Sequence, residues 1–402
     1  MARFPVSGFS NLDDYLDHAA PNQPEFHQAV REVSEDILPI LNKNPNKHYR
    51  DAALFERLTA PERIIEFRVD WVDDDNQVQS NTGYRVQFNG AIGPYKGGLR
   101  FHPTVNQSVL KFLGFEQTFK NALTGLPMGG GKGGSNFNPS GRSEAEIMRF
   151  CNAFMTELYR HIGPDVDIPA GDINVGAREI GYLFGAYRRI TGKFQGVLTG
   201  KGISFGGSEM RTEATGFGVV YFLDNMLEAH EDGLDGKSVI VSGAGNVAIH
   251  AAMKAQGMGG KVLSLSDSGG TLYVKDGMDA DMIAQIKEVK SKDGASLKEI
   301  KGSGVKWMAK TTPWDIDADI ALPCATQNEI DESAAKALIK NGTLALVEGA
   351  NMPCTAEAKT ALRGSDILYA PGKASNAGGV AVSGLEINQD RRRRFDDAIQ
   401  VE

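Results

Sequence analysis

The chain has 402 residues, a length that exceeds one ordinary hydrophobic core and predicts two domains. Hydrophobic residues make up 41% of the chain and charged residues 23%, a composition that is typical of a folded globular protein and excludes a disordered one. The formal net charge of -8 at pH 7 excludes a nucleic-acid surface built on excess lysine and arginine. A small-molecule partner is therefore expected.

The cysteines and the apolar segments bound the cellular setting. There are three cysteines without CxxC spacing, which predicts reduced thiols and neither a disulfide framework nor a metal site. No run of about eighteen apolar residues is present, and the start MARFPVSGFSNLDDYLDHAA has no signal-peptide core. We expect no membrane segment and a cytoplasmic location.

The first half of the chain changes its pattern several times. Residues 12–60 have apolar side chains at helical spacing and predict amphipathic helices that pack or form oligomer contacts. From Ile64 to Phe88, two strands flank the polar turn DDDNQ, which predicts a hairpin. The segments IGPYKGGLRF and PMGGGKGG are predicted to be glycine-rich loops on either side of a helix. A second helix, from Ser143 to His161, precedes a third predicted loop, GPDVDIPAGDINVG.

The second half alternates buried strands with helices. The stretch TGKGISFGGSEMR at 199–211 predicts a hinge, and the domain boundary is placed near Gly200. After a helix from Thr212 to Glu231, apolar strands and helices follow one another as they do in a parallel α/β sheet.

One turn in this half has the spacing of a dinucleotide-binding loop. The strand SVIVSG leads into GAGNVA, which runs from Gly243 through Gly245, Asn246 and Val247 to Ala248 and opens a helix. Its glycines permit a tight turn and a close approach of the backbone to a pyrophosphate, which then lies at the positive N-terminus of the helix. Such a turn also occurs without a ligand, but the flanking strands and helix favour a dinucleotide site.

The end of the next strand bears on the choice of cofactor. About twenty residues after the turn lie Ser266, Asp267 and Ser268. An acidic residue at this place binds ribose hydroxyls and favours NAD, whereas two serines can hold a 2′-phosphate. The residues alone leave both cofactors open.

These patterns predict an α/β fold with two domains separated by a cleft. The first is a mixed-sheet domain for substrate binding and oligomerisation, comprising residues 1–200, with 374–402 returning towards it. The second is a Rossmann-like dinucleotide-binding domain, comprising residues 201–373.

Three lysines near the glycine-rich segments are candidates for binding an anion. They are Lys96, Lys120 and Lys132, and Gln117 lies one helical turn before Lys120 on the same face. A dicarboxylate needs two cations, although each lysine alone could be a solvated surface residue. Lys132 differs because five glycines flank it.

A P-loop around Lys132 is excluded on two grounds. Gly133 follows the lysine where that motif needs Ser or Thr, and Leu126 replaces its first glycine. Confinement beside a second cation would lower the pKa of Lys132 and make it a base near neutral pH.

Three aspartates in DVDIPAGD are candidates for exchanging a proton with an amine. Asp165, Asp167 and Asp172 are each equally compatible with a helix cap, and their spacing does not rank them.

Six segments together resemble the glutamate dehydrogenases, in the branch of small bacterial and fungal hexamers. They are GPYKGGLRFHP, KFLGFEQTFKNALTGLPMGGGKGG, MTELYRHIGPDVDIPAGD, LTGKG, PCATQNE and APGKASNAGGVAVSGLE. The resemblance extends over nearly the whole chain up to Glu386. It implies a homohexamer that converts 2-oxoglutarate and ammonia reversibly to L-glutamate. It also implies NADP rather than NAD, because the sequence Ser266-Asp267-Ser268 resembles the corresponding sequence of the NADP-linked members.

The resemblance assigns roles to residues of the first domain. It implies that Lys96 and Ser383 hold the distal carboxylate, and that Gln117 and Lys120 hold the carboxylate beside the reacting carbon. Lys132 is then left for chemistry.

The same resemblance identifies the aspartate that closes PAGD, Asp172, as the partner of Lys132 in proton transfer. Asp165 and Asp167 become structural. Thr215 and Asn246 are expected near the nicotinamide.

Two other functions remain as alternatives. A dehydrogenase of leucine, valine or phenylalanine is disfavoured because an apolar side chain has no carboxylate to pair with Lys96. A non-catalytic nucleotide-binding subunit of an oligomer is the other, because only sixteen residues follow Glu386, where the family usually continues through a long helical segment.

Overall fold

The computed structural model describes residues 4–292 and 294–392. Within these ranges the chain forms two compact units: the first contains residues 4–209 and 383–392, and the second contains residues 210–382. No helix in the described part is both long enough and apolar enough to cross a bilayer.

The boundaries of these units can be set beside those expected from the sequence. The sequence placed the changes of domain after residues 200 and 373, whereas the compact units change after residues 209 and 382. The three cysteines are buried and form no disulfide.

Four helices begin the first unit, where amphipathic helices were predicted. They are α1 (Leu12–Ala19), α2 (Pro24–Leu41), α3 (Lys47–Asp51) and α4 (Leu54–Thr59). Leu16, Phe26 and Val30 are buried and pack in one cluster with Val86 and Phe88 of the adjacent sheet. The apolar face of these helices is thus buried in the core of the first unit.

The first unit contains a five-stranded mixed sheet with the order β1-β2-β4-β3-β5. The strands are β1 (Arg63–Val72), β2 (Val78–Asn89), β3 (Tyr95–Phe101), β4 (Gly129–Ser135) and β5 (Asp167–Gly171). The predicted hairpin is confirmed, with Arg63 opposite Gln87 in the antiparallel pair β1 and β2. Strand β4 is antiparallel to β2 and parallel to β3, which is also parallel to β5.

The three glycine-rich segments are strands β3, β4 and β5 at their centres, so the prediction of loops was wrong. A Cβ atom on Gly97 would lie 1.7 Å from the carbonyl oxygen of Gly131, and one on Gly130 would lie 2.0 Å from Oγ1 of Thr118. Glycine is needed here because neighbouring backbone and helix approach too closely for a side chain. Glycine content therefore marked close packing and not turns.

Three further helices complete most of the first unit. They are α5 (Gln107–Leu123), α6 (Glu144–Leu158) and α7 (Ala177–Thr191). Helix α6 begins as predicted, because the Ser143 hydroxyl accepts the amide of Glu146 and the Glu146 carboxylate accepts the amide of Ser143. The aromatic rings of Phe137 and Phe150 stack at 3.8 Å in the core that α6 and α7 share with the sheet.

The second unit is built on a seven-stranded sheet with the order β12-β11-β10-β6-β7-β8-β9. Its elements are α8 (Ala214–Glu228), β6 (Ser238–Val241), α9 (Asn246–Gly257), β7 (Lys261–Asp267), β8 (Gly270–Val274), α10 (Ala280–Lys290), β9 (Val305–Ala309), β10 (Ile320–Leu322), α11 (Glu332–Lys340), β11 (Ala345–Val347), α12 (Ala356–Arg363), β12 (Leu368–Ala370), α13 (Gly372–Ser375) and the start of α14 (Gly378–Arg392). The chain passes back into the first unit within α14.

The pairing of these strands has the Rossmann-like form that was predicted. Strands β12, β11, β10, β6 and β7 are parallel. Helix α9 connects β6 to β7, and helices α11 and α12 connect β10, β11 and β12. Strands β8 and β9 extend the sheet by antiparallel pairing. The prediction of an α/β chain with a mixed-sheet domain and a Rossmann-like domain is confirmed.

Candidate active site

Strand β4 places Lys132 on the face of the sheet that helix α5 covers. Lys132 lies directly opposite Val86 in the antiparallel pair of β4 and β2, so the two side chains share a face. Val86 packs with Leu110 and Leu113 of α5. Gln117 and Lys120 lie on the same helix, as predicted, and both are partly buried.

The order of the strands brings distant residues of the chain together. Strand β3 lies between β4 and β5. Strand β3 carries Lys96 and Arg100, and β4 carries Lys132. Asp172 is the residue that directly follows β5. Three separate segments of the sequence therefore meet on adjacent strands.

Lys132, Asp172 and Arg100 form a buried cluster of charges. Nζ of Lys132 lies 3.1 Å from Oδ1 of Asp172, and Nε of Arg100 donates a hydrogen bond of 2.7 Å to Oδ2 of the same carboxylate. The side chain of Lys132 is 7% exposed and that of Asp172 is 19% exposed. The two residues that the resemblance paired for proton transfer thus lie in contact.

Burial and charge shift the pKa values of both residues. Burial lowers the pKa of Lys132, the charges of Arg100 and Arg85 act in the same direction, and Asp172 opposes them. Burial alone would raise the pKa of Asp172, but the charges of Lys132 and Arg100 outweigh it and lower the pKa to about 2. Asp172 is therefore ionised at neutral pH, and Lys132 loses its proton more readily than an ordinary lysine.

Lys96 is buried on β3 beside a hydroxyl group. It is 2% exposed, and its Nζ donates a hydrogen bond of 2.8 Å to Oγ1 of Thr199. The amide of Asn121 donates to the carbonyl oxygens of Lys96 and Gly129, and its own oxygen accepts a hydrogen bond from Gln117 at 2.7 Å. Asn121 thus ties helix α5 to both strands that carry the lysines.

The remaining predicted residues of the first unit are Ser383, Asp165 and Asp167. Ser383 is buried in the part of α14 that belongs to this unit. Asp167 is fully buried and accepts a hydrogen bond of 2.9 Å from Nε of Arg85, whereas Asp165 is exposed and pairs with Arg391. The surroundings of both aspartates are those of structural residues.

The second unit contains the predicted dinucleotide turn between β6 and α9. Gly243 has φ +87, and a Cβ atom there would lie 3.0 Å from the carbonyl oxygen of Cys324. Gly245 precedes the first residue of α9, and nothing lies within 4 Å of the position that its Cβ would take. This open space in front of the helix N-terminus fits a pyrophosphate group.

The residues expected near the nicotinamide lie beside this turn. The amide of Asn246 donates a hydrogen bond to the carbonyl oxygen of Thr212, three residues before Thr215. Thr215 lies in the first turn of α8, where a Cβ atom on Gly379 would be 2.5 Å from its hydroxyl oxygen. Val247 follows Asn246 in α9 and is partly buried.

The end of β7 differs in detail from the expected recognition of a ribose or phosphate. Oδ2 of Asp267 accepts the amide of Leu297 at 2.8 Å, and Oδ1 accepts the amide of Gly269 at 2.9 Å. The hydroxyl of Ser266 accepts the amide of Gly243 at 2.9 Å, while Ser268 is exposed. Ser266 therefore supports the glycine turn, and Ser268 is the exposed hydroxyl of the pair.

Comparison with protein families matches both units. Residues 61–189 match the model of the Glu/Leu/Phe/Val dehydrogenase dimerisation domain. Residues 206–402 match that of Glutamate/Leucine/Phenylalanine/Valine dehydrogenase. The chain belongs to this dehydrogenase family.

Individual relatives within the family are glutamate dehydrogenases. The NADP-specific glutamate dehydrogenase of Salmonella typhimurium is 56% identical over 387 residues, which are 95% of this chain and 86% of that protein. The crystal structure of Plasmodium falciparum glutamate dehydrogenase is 47% identical, with a TM-score of 0.93 over 97% of this chain and 83% of that one. The predicted resemblance to NADP-linked glutamate dehydrogenases is confirmed.

A more distant structure has the same fold. The hetero-hexameric glutamate dehydrogenase from Thermus thermophilus, in its leucine-bound form, is 29% identical, with a TM-score of 0.84. The alignment covers 95% of this chain and 88% of the Thermus thermophilus chain.

Three residues of the candidate site were not recognised from the sequence. Arg100 could have been found, because alternation along a strand puts it on the same face as Lys96, but β3 was predicted to be a loop. Asn121 follows Lys120 directly and gave no separate signal. Thr199 lies 103 residues from Lys96 along the chain, a separation that no local pattern spans.

Proposed function

We propose that the cluster of Lys132, Asp172 and Arg100 performs the acid–base chemistry of a glutamate dehydrogenase. The reaction is the reversible reductive amination of 2-oxoglutarate with ammonia to L-glutamate. The observation that carries the proposal is the buried contact between Lys132 and Asp172, in which one group has a lowered pKa and the other is ionised. A buried pair of groups with opposed protonation tendencies is suited to proton transfer.

The proton steps follow from these protonation states. When ammonia attacks the oxo carbon, the Asp172 carboxylate accepts a proton from the nitrogen and returns it to the oxygen of the adduct, which becomes the hydroxyl of the carbinolamine. Protonated Lys132 then donates a proton to the hydroxyl that leaves as water, which gives the iminium. In the reverse direction neutral Lys132 takes a proton from the water that attacks the iminium. Arg100 holds the Asp172 carboxylate in place by its hydrogen bond.

The substrate is held through its two carboxylates. Lys96 and Ser383 bind the distal carboxylate, while Gln117 and Lys120 bind the carboxylate beside the reacting carbon. Support comes from the burial of Lys96, since a buried ammonium group facing the side chain of leucine or phenylalanine would be costly. A dehydrogenase of apolar amino acids is disfavoured for this reason.

The cofactor is NADP(H), which when bound supplies or accepts the hydride. The turn that contains Gly243 and Gly245 would hold its pyrophosphate. Asp267 supports a preference of the enzyme for NADP over NAD. Both of its carboxylate oxygens already accept backbone amides, so they are engaged within the protein and not with a ribose hydroxyl. The exposed hydroxyl of Ser268 is placed to bind the 2′-phosphate.

Two wider properties are also proposed. A homohexamer in the cytoplasm is expected, and the hexamer is supported by the match of residues 61–189 to a dimerisation domain and by the hexameric state of the relative from Thermus thermophilus. The non-catalytic subunit is disfavoured, because the complete Lys132 and Asp172 pair would serve no purpose in it.

Replacing Lys132 by alanine tests the proposal. Turnover of 2-oxoglutarate, ammonium and NADPH should fall by about 10²–10⁴-fold, because the acid–base group is lost. NADPH binding, measured by quenching of protein fluorescence, should stay at the wild-type value because the turn lies in the second unit. The control is Lys193→Ala, which removes an exposed lysine of the first unit. Near-normal turnover by Lys132→Ala would overturn the proposed role.

A further inference from the structure

Another buried lysine of the first unit, Lys201, uses all its hydrogen-bond donors within the protein. Nζ of Lys201 donates to the carbonyl oxygen of Leu198 at 2.5 Å, to Oε1 of Glu386 at 2.8 Å and to Oδ2 of Asp390 at 2.8 Å. The side chains of Lys201 and Glu386 are fully buried, and that of Asp390 is 9% exposed. An ammonium group has three donors, so Lys201 has none left for a substrate.

The two acidic residues of this cluster also hold the backbone around Lys201. Oε2 of Glu386 accepts the amide of Gly200 at 2.8 Å, and Oε1 accepts the amide of Lys201 at 3.3 Å. A Cβ atom on Gly196 would lie 2.5 Å from Cβ of Asp390. The segment 196–201 is therefore fitted closely against helix α14.

Segment 196–201 and helix α14 each carry a buried residue with a hydroxyl group, Thr199 and Ser383. Thr199 lies between the two anchored ends of the segment, and its hydroxyl accepts the hydrogen bond from Lys96. Its amide donates to the carbonyl oxygen of Pro169, which ties Thr199 to the edge strand β5. Ser383 lies one helical turn before Glu386 on α14 and is 2% exposed.

The composition of the cluster argues for more than stability. One buried cation and two buried carboxylates are costly to remove from water, and an apolar group of equal volume commonly stabilises a fold as well or better. What charged groups provide in addition is a fixed geometry, because each hydrogen bond sets both a distance and a direction. These hydrogen bonds hold the backbone next to Thr199, and Glu386 lies on the same helix as Ser383.

We propose that Lys201, Glu386 and Asp390 are positioning residues that fix Thr199 and Ser383 for recognition of the distal carboxylate. This inference rests on the proposed function, which places Lys96 and Ser383 at that carboxylate. The cluster touches no reacting atom, so it sets the preference for a dicarboxylic oxo acid and leaves the chemistry at Lys132 unchanged.

The test compares two oxo acids that differ in the distal carboxylate. For Glu386→Gln, kcat/KM for 2-oxoglutarate should fall about tenfold or more, because the amide cannot accept both backbone amides and pair with Lys201. The value for 2-oxobutyrate, which has no distal carboxylate, should change less than about twofold. The ratio of the two values should therefore collapse, and Glu386→Asp, which keeps the carboxylate, should restore part of it.

The matched control is Asp165→Asn. It removes the exposed ion pair between Asp165 and Arg391, which lies on α14 as Glu386 does. Its ratio should equal that of the wild type. An equal loss for both oxo acids in Glu386→Gln would show a merely structural role and would overturn the inference.

Two further variants separate the possible failures. Lys96→Met should abolish the preference for 2-oxoglutarate; if it does not, the proposed substrate roles are wrong. If Lys96→Met abolishes the preference and Glu386→Gln leaves it intact, the positioning inference alone is wrong. Should Glu386→Gln fail to fold, Asp390→Asn removes one contact to Lys201 and should lower the same ratio by a smaller factor. An unchanged ratio in folded Asp390→Asn also contradicts the inference.

Discussion

One carboxylate between two cations governs the candidate site at the scale of single residues. Asp172 has a pKa of about 2, below its ordinary value of 3.8, because Lys132 and Arg100 together outweigh the effect of burial. A carboxylate with a lowered pKa stabilises the folded state above its unfolded pKa, and this contribution is lost as the pH falls through the folded pKa. The pair is therefore intact at neutral pH and lost in acid between about pH 4 and pH 2.

The pH dependence of glutamate oxidation should report the pKa of Lys132. Neutral Lys132 is the base in this direction, so kcat/KM should rise with pH through a pKa below that of an ordinary lysine. Arg100→Gln should move the rising limb to higher pH, because the charge of Arg100 lowers the pKa of Lys132. Initial rates of NADP⁺ reduction across a pH series measure the position of the rising limb in the wild type and in Arg100→Gln. Arg68→Gln is the control, since Arg68 is 78% exposed, and a limb that moves to lower pH in Arg100→Gln contradicts this account.

Asp172→Asn should lose turnover while the protein stays folded. The amide cannot accept the proton that the nitrogen releases, and a fall of at least about 100-fold is expected. Circular dichroism and thermal melting compare the fold of the variant with that of the wild type. An unfolded product would instead assign Asp172 a structural role.

At the scale of elements, strand β4 shows how glycine serves packing. A side chain on Gly130 of β4 would overlap with helix α5, and one on Gly97 of the neighbouring strand β3 would overlap with the backbone of β4. The sequence GGGKGGS has no hydrophobic alternation, because it has almost no side chains to alternate, so the usual signal of a strand is absent. Helix α6 and the β1–β2 hairpin were predictable because a capping box and alternating side chains are local signals.

Gly97→Ala should destabilise the first unit by about 3 kcal/mol or more, because its Cβ would lie 1.7 Å from a backbone oxygen that cannot move aside cheaply. Gly185→Ala is the matched control. Gly185 lies in helix α7 with nothing within 4 Å of its Cβ position, so alanine there should be neutral or stabilise by up to about 1 kcal/mol. Urea unfolding of both variants measures the difference. Equal stabilities of the two variants would contradict the role of glycine in β3.

At the scale of the whole molecule, the two units match two domains of the same dehydrogenase family. The dinucleotide turn was predictable because strand, turn and helix are contiguous, and the structure has them as β6, Gly243 to Gly245 and α9. The meeting of Lys96, Lys132 and Asp172 was not derivable from local patterns, because it depends on the insertion of β4 between β2 and β3. The resemblance to known relatives supplied that grouping.

The most direct test of the function is the rate of nicotinamide oxidation with paired substrates and cofactors. Purified protein and ammonium are mixed with 2-oxoglutarate or with the oxo acid of leucine, each with NADPH and with NADH, and the decline in nicotinamide absorbance is followed. We predict rapid oxidation with 2-oxoglutarate and NADPH, and much slower oxidation with each other pair. Faster turnover of the branched-chain oxo acid, or no oxidation with any pair, would contradict the account.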